Sequence, residues 1–232
     1  MIIKRAAEQC GQADYGWLQA RYTFSFGHYF DPQLLGYASL RVLNQEVLTP
    51  GASFQPRTYP SVDILNIILQ GEAEYRDSNG HHVHAKEGEV LLFATQPNVS
   101  YSEHNTSNCK PLTRMQLWLD ACPTRENSSL QRLTLNKTGH HLLASPEGDQ
   151  GSLQLRQQVW IHHLELQENE QKTIKLQGNQ AYLQSINGSM SLYESSGRQA
   201  LCCGDGAFIQ QETVLNLKAE TALQALLIDL VA

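Results

Sequence analysis

The chain repeats one arrangement of glycines at an interval of about half its length. Residues 71–80 begin and end with glycine, and a Gly-Glu pair at 88–89 follows them before an apolar run. Residues 188–197 have the same spacing, and a Gly-Asp pair follows at 204–205. The repeated segments start at positions 71 and 188, which are 117 residues apart in a chain of 232. A glycine-bounded hairpin, a polar connection and a turn into an apolar strand, used twice, predict two β domains of similar topology.

The rest of the chain has the pattern of an all-β protein. Short apolar runs such as 63–69, 90–93, 115–119 and 225–230 are bounded by Gly, Pro, Asn or Asp, and helical periodicity is scarce. Turn residues bend the hairpins at Asp77–Gly80 and at 195–197. The polar stretch 123–129 has the composition of a linker. It predicts an N-terminal domain of residues 1–128 and a C-terminal domain of residues 129–232.

Charge and cysteine content exclude several classes of function. The formal net charge is −6, which argues against direct nucleic-acid binding. No apolar run approaches the roughly 20 residues of a membrane span. The first ten residues lack the apolar segment of a secretory signal, and five cysteines without CxxC spacing do not suggest a disulfide framework. We therefore expect a cytoplasmic monomer that binds neither membrane nor nucleic acid.

The glycine-bounded module resembles the cupin, a small jelly-roll β-barrel, and two copies make a bicupin. Nearly the whole chain is similar to the pirin family of bicupins. The segments that carry this resemblance are Gly16–Pro32, Leu40–Asn44, Pro50–Gly51, Tyr75–Ser78, Ser102–Glu103, Ala144–Gly148, Ala181–Tyr182, Gly204–Gly206 and Leu227–Leu230.

The resemblance implies a metal site in the first barrel, and the sequence departs from it. Metal-binding pirins carry two histidines before the first hairpin and a histidine and a glutamate after the second glycine turn. Some of them oxidise flavonols such as quercetin. Counting from Gly71, these positions fall on Arg57, Tyr59, Tyr101 and Glu103, so that only the carboxylate remains. Because arginine keeps its proton in proteins, we expect neither iron nor another divalent metal cofactor here.

Two interpretations of this altered site stay open. Arg57, Tyr59 and Tyr101 offer hydrogen-bond donors, and together with Glu103 they could form a pocket for a small anion or a carboxylate. Alternatively, the site has lost its function, is filled by Tyr59 and Tyr101, and is closed by an ion pair between Arg57 and Glu103. The counterparts in the second repeat fall near Ile174, Leu176, Leu217 and Ala219. None of them is a metal ligand, which predicts a structural barrel.

The nine histidines do not restore a metal site at the expected positions. His82 and His84 share a strand face, which is typical of an exposed polar edge. His162 and His163 point to opposite faces of a strand, and the pair 140–141 is expected in a surface loop. His104 alternates with Glu103 and is expected to face away from the pocket.

Cysteine provides another possible chemistry. Cys122 lies near Arg114 and Arg125, and neighbouring cations lower the pKa of a thiol, which makes Cys122 a candidate redox sensor. Cys202 and Cys203, before a glycine turn, are weaker candidates. Three functions follow: a metal-free protein that binds a small anion and senses oxidants, a metal-dependent dioxygenase, or an interaction module that binds a protein partner, as the resemblance to transcriptional co-regulators implies.

Overall fold

A computed structural model describes residues 1–135, 138–194 and 197–231, and these residues form mainly β-strands. The only helical segments in the described residues are two short 3-10 turns, Ala7–Gln9 and Asp149–Gly151. In the same ranges, no helix has the length and apolar character needed to cross a membrane. The prediction of an all-β bicupin is confirmed, although residues 195 and 196 of the second predicted turn lie outside the described residues.

The strands are numbered in chain order. The first eleven are β1 (Ile2–Arg5), β2 (Gly11–Asp14), β3 (Leu18–Tyr22), β4 (Leu40–Leu48), β5 (Ser53–Thr58), β6 (Val62–Gln70), β7 (Glu72–Asp77), β8 (His82–Lys86), β9 (Glu89–Ala94), β10 (Ser100–Asn105) and β11 (Leu112–Asp120). The others are β12 (Leu130–Thr134), β13 (Gly139–Ser145), β14 (Leu153–Gln154), β15 (Val159–Leu166), β16 (Gln171–Lys175), β17 (Gln180–Asn187), β18 (Met190–Glu194), β19 (Gly197–Leu201), β20 (Gly206–Gln210), β21 (Val214–Ala219) and β22 (Leu223–Leu230).

The N-terminal barrel comprises residues Gly11–Leu135. A seven-stranded sheet has the order β12-β9-β6-β11-β4-β3-β2, and a four-stranded sheet has the order β5-β10-β7-β8. Apolar side chains from both sheets, such as Ile64, Leu91 and Leu112 from the first and Ala73 from the second, share one buried core. The core therefore lies between the two sheets, as in a jelly roll.

The C-terminal barrel comprises Met1–Cys10 and Asn136–Ala232. Its seven-stranded sheet has the order β1-β20-β17-β22-β15-β13-β14, and its four-stranded sheet has the order β16-β21-β18-β19. Strand β21 alternates between exposed and buried side chains along most of its length, because one face of the sheet covers the core and the other meets solvent.

The division of the structure differs from the predicted boundary at 128/129. Strand β1 pairs with β20, with Ile2 opposite Ile209, so the first residues belong to the C-terminal barrel. Strand β12 pairs with β9, with Leu130 opposite Phe93, and so belongs to the N-terminal barrel. The polar stretch 123–129 is a loop inside the N-terminal barrel. Composition identified a loop there, but it carries no information on which sheet the next strand joins.

The repeated glycines hold equivalent positions in the two barrels. Gly71 joins β6 to β7 with φ of 84°, and Gly188 joins β17 to β18 with φ of 78°. A Cβ atom on Gly71 would lie 2.5 Å from the carbonyl oxygen of Pro111, and one on Gly188 would lie 2.1 Å from that of Ala222. Both turns therefore need glycine for the same two reasons, a positive φ and a close backbone approach.

Candidate functional site

Strands β5 and β10 bring the predicted pocket residues together. The two strands are antiparallel neighbours, and Tyr101 on β10 lies opposite Arg57 on β5. Tyr59 follows the end of β5, and its ring centroid lies 5.9 Å from that of Tyr101. Glu103 is two residues beyond Tyr101 and is buried. The pairing of these strands thus places all four residues in one region of the N-terminal barrel.

The prediction of an ion pair between Arg57 and Glu103, which belonged to the interpretation of a site without function, is wrong. Arg57 is exposed, its Nε donates a hydrogen bond of 2.9 Å to the Tyr59 hydroxyl, and its guanidinium lies 4.7 Å from the centroid of the Phe54 ring. Within the described ranges, no carboxylate forms an ion pair with Arg57. Its terminal nitrogens are therefore available to a ligand.

Glu103 instead pairs with Arg114, which extends from β11 of the opposite sheet. The Arg114 side chain is fully buried, and its Nη1 contacts the Glu103 carboxylate. Its Nη2 donates a hydrogen bond of 2.6 Å to Oε2 of Glu46, and Nη1 also donates to Oδ1 of Asn66 at 2.7 Å. One buried cation therefore satisfies two buried carboxylates, the condition under which charges are tolerated inside a protein.

Arg114 is a site residue that the sequence pattern does not predict, because the pattern relates Arg114 only to Cys122. Arg114 is fully buried and committed to the carboxylates. A signal was present in the alternation of β11, where Arg114 and Gln116 occupy positions of the same parity as the core residue Leu112. Two polar residues on the inward face of a strand indicate a buried polar network.

The polar network has unusual electrostatics. Burial raises the pKa of Glu103 to about 7, although the charge of Arg114 opposes this, and the nearby Glu46 raises it further. The Tyr75 hydroxyl donates a hydrogen bond of 3.2 Å to Oε1 of Glu103, and burial raises the pKa of Tyr75 well above its usual value. The cluster therefore combines a permanent cation with a carboxyl group that exchanges its proton near neutral pH.

The space beside these residues is small. A cavity of about 30 Å³ touches Glu103, Tyr75, Tyr59 and Tyr101, which is room for about one water molecule. Aromatic rings fill the rest of the space around the cavity. The Tyr59 ring, for example, also packs on Trp118, with 5.1 Å between the two ring centroids. A ligand larger than a few atoms would have to displace one of the tyrosines.

The residues at this position do not fit the metal site that the resemblance implies. Arg57, Tyr59 and Tyr101 supply no imidazole nitrogen, and the Glu103 carboxylate is already engaged by the Arg114 guanidinium. Histidine-based iron sites need neutral nitrogen donors together with a carboxylate that is available to the metal. The Arg114 guanidinium is the cation that pairs with Glu103, in the role that a metal ion would have at this site.

The counterpart positions in the second repeat contribute to packing. Ile174, Leu176, Leu217 and Ala219 are all buried in the apolar core of the C-terminal barrel. All four side chains are aliphatic and pack in this core, and a purely structural role of the C-terminal barrel stays a prediction.

The predicted loop at His140 and His141 is wrong, because both residues belong to β13. Nε2 of His140 lies 3.0 Å from Nδ1 of His162 on the neighbouring strand β15. His163 faces the other way, and its Nε2 lies 3.1 Å from Nε2 of Gln224. Burial lowers the pKa of His162 and of His163 to about 4, so both imidazoles are neutral at physiological pH.

The remaining histidine predictions concern the four-stranded sheet of the N-terminal barrel. Nε2 of His104 lies 3.1 Å from the hydroxyl of Ser102, on the opposite face of β10 from Glu103. His82 and His84 are exposed on β8, which is the edge strand of the sheet. The expected exposed edge is confirmed, but the buried Glu74 of β7 lies against both histidines.

Cys122 differs from the other two redox candidates. Its Sγ lies 3.3 Å from the Thr124 hydroxyl, and hydrogen bonds with Thr124, together with the charge of Arg125, lower the pKa of the Cys122 thiol. Arg114, the other predicted cationic neighbour of Cys122, is instead paired with the buried carboxylates of Glu46 and Glu103. Cys202 and Cys203 are exposed in the turn after β19 and form no disulfide.

Comparisons with known proteins agree on the family. Residues 3–119 match the family model described as "Pirin", and residues 142–230 match the one described as "Quercetinase C-terminal cupin domain". The chain is 68% identical over 231 residues to "Pirin-like protein YhaK" of Escherichia coli (strain K12), covering 99% of each chain.

More distant relatives carry names that refer to an enzyme or a metal. The chain is 29% identical over 235 residues to "Quercetin 2,3-dioxygenase" of Escherichia coli (strain K12), covering 99% of each. The crystal structure of the bacterial pirin YhhW in complex with nickel(II), from Escherichia coli, matches with a TM-score of 0.93 and 27% identity, covering 100% of this chain and 99% of that one.

Proposed function

We propose that this chain, which belongs to the pirin family, uses its N-terminal barrel to bind a small anionic ligand, such as a carboxylate, without a metal. The ligand would be held by the guanidinium of Arg57 at the mouth of the pocket that Tyr59 and Tyr101 line. The site would serve recognition rather than oxidation of a flavonol.

The state of Arg57 carries this proposal. Its guanidinium is held by the Tyr59 hydroxyl at Nε and by stacking on Phe54, which leaves the terminal nitrogens for a bidentate contact. Because no described carboxylate compensates its charge, an anion at this place would gain an ion pair without breaking one. A guanidinium fixed on one side by stacking loses little side-chain entropy when it binds.

Glu103 would couple ligand binding to proton uptake. The charge of Arg57 is one of the influences that lower the pKa of Glu103. An anion bound to Arg57 would cancel part of this influence and raise the pKa of Glu103 above its value of about 7. Near neutral pH, Glu103 would then take up a proton when the ligand binds, and the affinity would increase as the pH falls.

The dioxygenase interpretation is supported by the names of relatives and by the description of the family model that matches residues 142–230. A metal-dependent oxidation of quercetin would need an available ligand set and space for a molecule of three rings. The engagement of Glu103 by Arg114 and a cavity of about 30 Å³ argue against both. Metal analysis of protein purified without chelator tests this alternative, and stoichiometric iron or copper that is lost in Glu103→Gln would overturn the metal-free proposal.

Calorimetric titration with formate, acetate and citrate tests the anion pocket. We expect the wild-type protein to bind at least one of them, Arg57→Gln to lose binding, and Arg57→Lys to retain part of it because the charge remains without the planar fork. Arg21→Gln in the same barrel is the control for a general loss of positive charge. The absence of binding by the wild-type protein, or equal binding by Arg57→Gln, would refute the proposal.

A second role, oxidant sensing by Cys122, is supported by the partial exposure of this thiol and its contact with Thr124. The thiolate would attack one oxygen of hydrogen peroxide and the O–O bond would break. Cys122 would become a sulfenic acid, and the hydroxide that leaves would take a proton from solvent to form water. Mass spectrometry after mild peroxide treatment should find this oxygen on Cys122 first. Cys109→Ser is the control, and equal oxidation of the wild-type protein and Cys122→Ser would exclude Cys122.

A further inference from the structure

The outer face of the β7–β8 hairpin carries a cluster that is separate from the pocket. Glu74 on β7 lies directly opposite His84 on β8, and His82 precedes His84 by two residues on the same face. Tyr75, the neighbour of Glu74, points inward and bonds to Glu103. By the alternation of a strand, Glu74 therefore faces away from the pocket.

The three side chains already converge on a common point. Nε2 of His82 lies 3.0 Å from Oε1 of Glu74, and Nε2 of His84 lies 3.5 Å from Oε2 of the same carboxylate. One ligand atom from each of the three residues can be chosen so that all lie within 4.8 Å of one another. Tetrahedral ligands about 2.1 Å from a zinc ion are roughly 3.4 Å apart. Small rotations of exposed imidazoles would therefore reach coordination distance.

We propose that Glu74, His82 and His84 bind one divalent transition-metal ion on the outer face of this hairpin. Two imidazoles and one carboxylate are the donor set that zinc, nickel and copper accept, whereas calcium and magnesium prefer oxygen ligands. The antiparallel register fixes the backbone beneath all three ligands, so binding requires no rearrangement of the sheet. Water would complete the coordination sphere on the solvent side.

Arg76 is the internal competitor of the metal. Its Nε contacts Oε1 of Glu74, and its side chain is largely exposed. Burial tends to raise the pKa of Glu74, but hydrogen bonds with His82 and Arg76 hold it below the usual value. The Glu74 carboxylate therefore already lies against one cation and two imidazoles. A metal would have to displace Arg76, which solvent can accommodate at little cost.

The competition by Arg76 makes the proposal specific. A site formed by Glu74, His82 and His84 should bind metal more tightly when Arg76 is replaced, since the carboxylate then loses its other partner. An adventitious association of metal with scattered histidines would not respond in this way. His81 provides a matched control, because it lies on the same hairpin but its Nδ1 is 2.7 Å from Oδ2 of Asp77.

Isothermal titration of the full-length, untagged protein with zinc chloride tests the site. We expect one equivalent to bind to the wild-type protein, at least tenfold weaker binding to His82→Gln and His84→Gln, unchanged binding to His81→Gln, and tighter binding to Arg76→Gln. The substituted side chains are exposed, and circular dichroism verifies that each variant is folded.

Two results would overturn the proposal: no uptake of zinc by the wild-type protein at micromolar concentrations, or equal affinity of the wild-type protein and the variant that combines His82→Gln with His84→Gln. The Arg57→Gln variant should bind zinc as the wild-type protein does, which keeps this test independent of the anion pocket.

Discussion

The replacement of Glu103 by glutamine should change how the stability of the N-terminal barrel depends on pH. The pKa of Glu103 is about 7 in the folded protein and 4.5 in its ordinary state. Between these values the folded state binds more protons than the unfolded state, so stability falls as the pH rises through this window. At 1.36 kcal/mol for each pH unit, the loss between pH 4.5 and pH 7 is about 3 kcal/mol.

Glutamine has nearly the same shape but no titrating group, so Glu103→Gln should abolish this contribution. The charge interaction between Glu103 and Arg114 is already contained in the shifted pKa of Glu103, so only the exchange of hydrogen bonds adds an effect that is constant with pH. The slope is therefore the informative quantity. The difference in unfolding free energy between the wild-type protein and the variant should change by about 3 kcal/mol from pH 4.5 to pH 8.

Urea unfolding at several pH values measures this difference. Trp160 belongs to the C-terminal barrel, so a Trp160→Phe background leaves the emission of Trp17 and Trp118 to follow the N-terminal barrel. Glu87→Gln, which changes an exposed carboxylate of the same barrel, should keep the slope of the wild-type protein. Parallel pH profiles for the wild-type protein and Glu103→Gln would refute the reasoning about burial.

Three further predictions concern the same barrel. Arg114→Met should lower the free energy of unfolding by about 3–5 kcal/mol in urea titrations, because two buried carboxylates lose their cation; an equally stable variant would contradict this. Gly71→Ala should lower the melting temperature more than Gly80→Ala, since both have a positive φ but only a Cβ at Gly71 meets another backbone; equal shifts would contradict a role for the close approach. Tyr59→Phe should weaken the binding of acetate or citrate about fivefold, because it removes a hydrogen bond worth about 1 kcal/mol that orients Arg57, and calorimetry that finds unchanged affinity would count against this role.

Backbone geometry explains which parts of the fold the sequence could predict. The glycines at 71 and 188 marked equivalent turns because a positive φ and a close approach exclude other residues. The gathering of Arg57, Tyr101 and Glu103 in one region was implied by the resemblance to the pirin family, and the hydrogen-bond register between β5 and β10 brings it about.

The partner of Glu103 could not be found by the same reasoning. Arg114 belongs to the opposite sheet and reaches Glu103 across the interior of the barrel. Distances through a barrel depend on how the two sheets pack, and no spacing along one strand determines them. The cluster of Glu74 with His82 and His84 was missed for a related reason, because the carboxylate comes from the neighbouring strand of the hairpin.

The position of β1 has a consequence for how the chain is made and divided. Its residues are synthesised before those of its partner strand β20, which begins more than 200 residues later, at Gly206. The C-terminal barrel therefore cannot close before β20 has left the ribosome, whereas residues 11–135 contain the described strands of the N-terminal barrel. A fragment that starts after residue 135 would expose the hydrogen-bonding edge of β20, and such an edge favours aggregation. The N-terminal barrel is accordingly the part to express alone. The C-terminal barrel requires the strand Ile2–Arg5, either in the same molecule or as an added peptide.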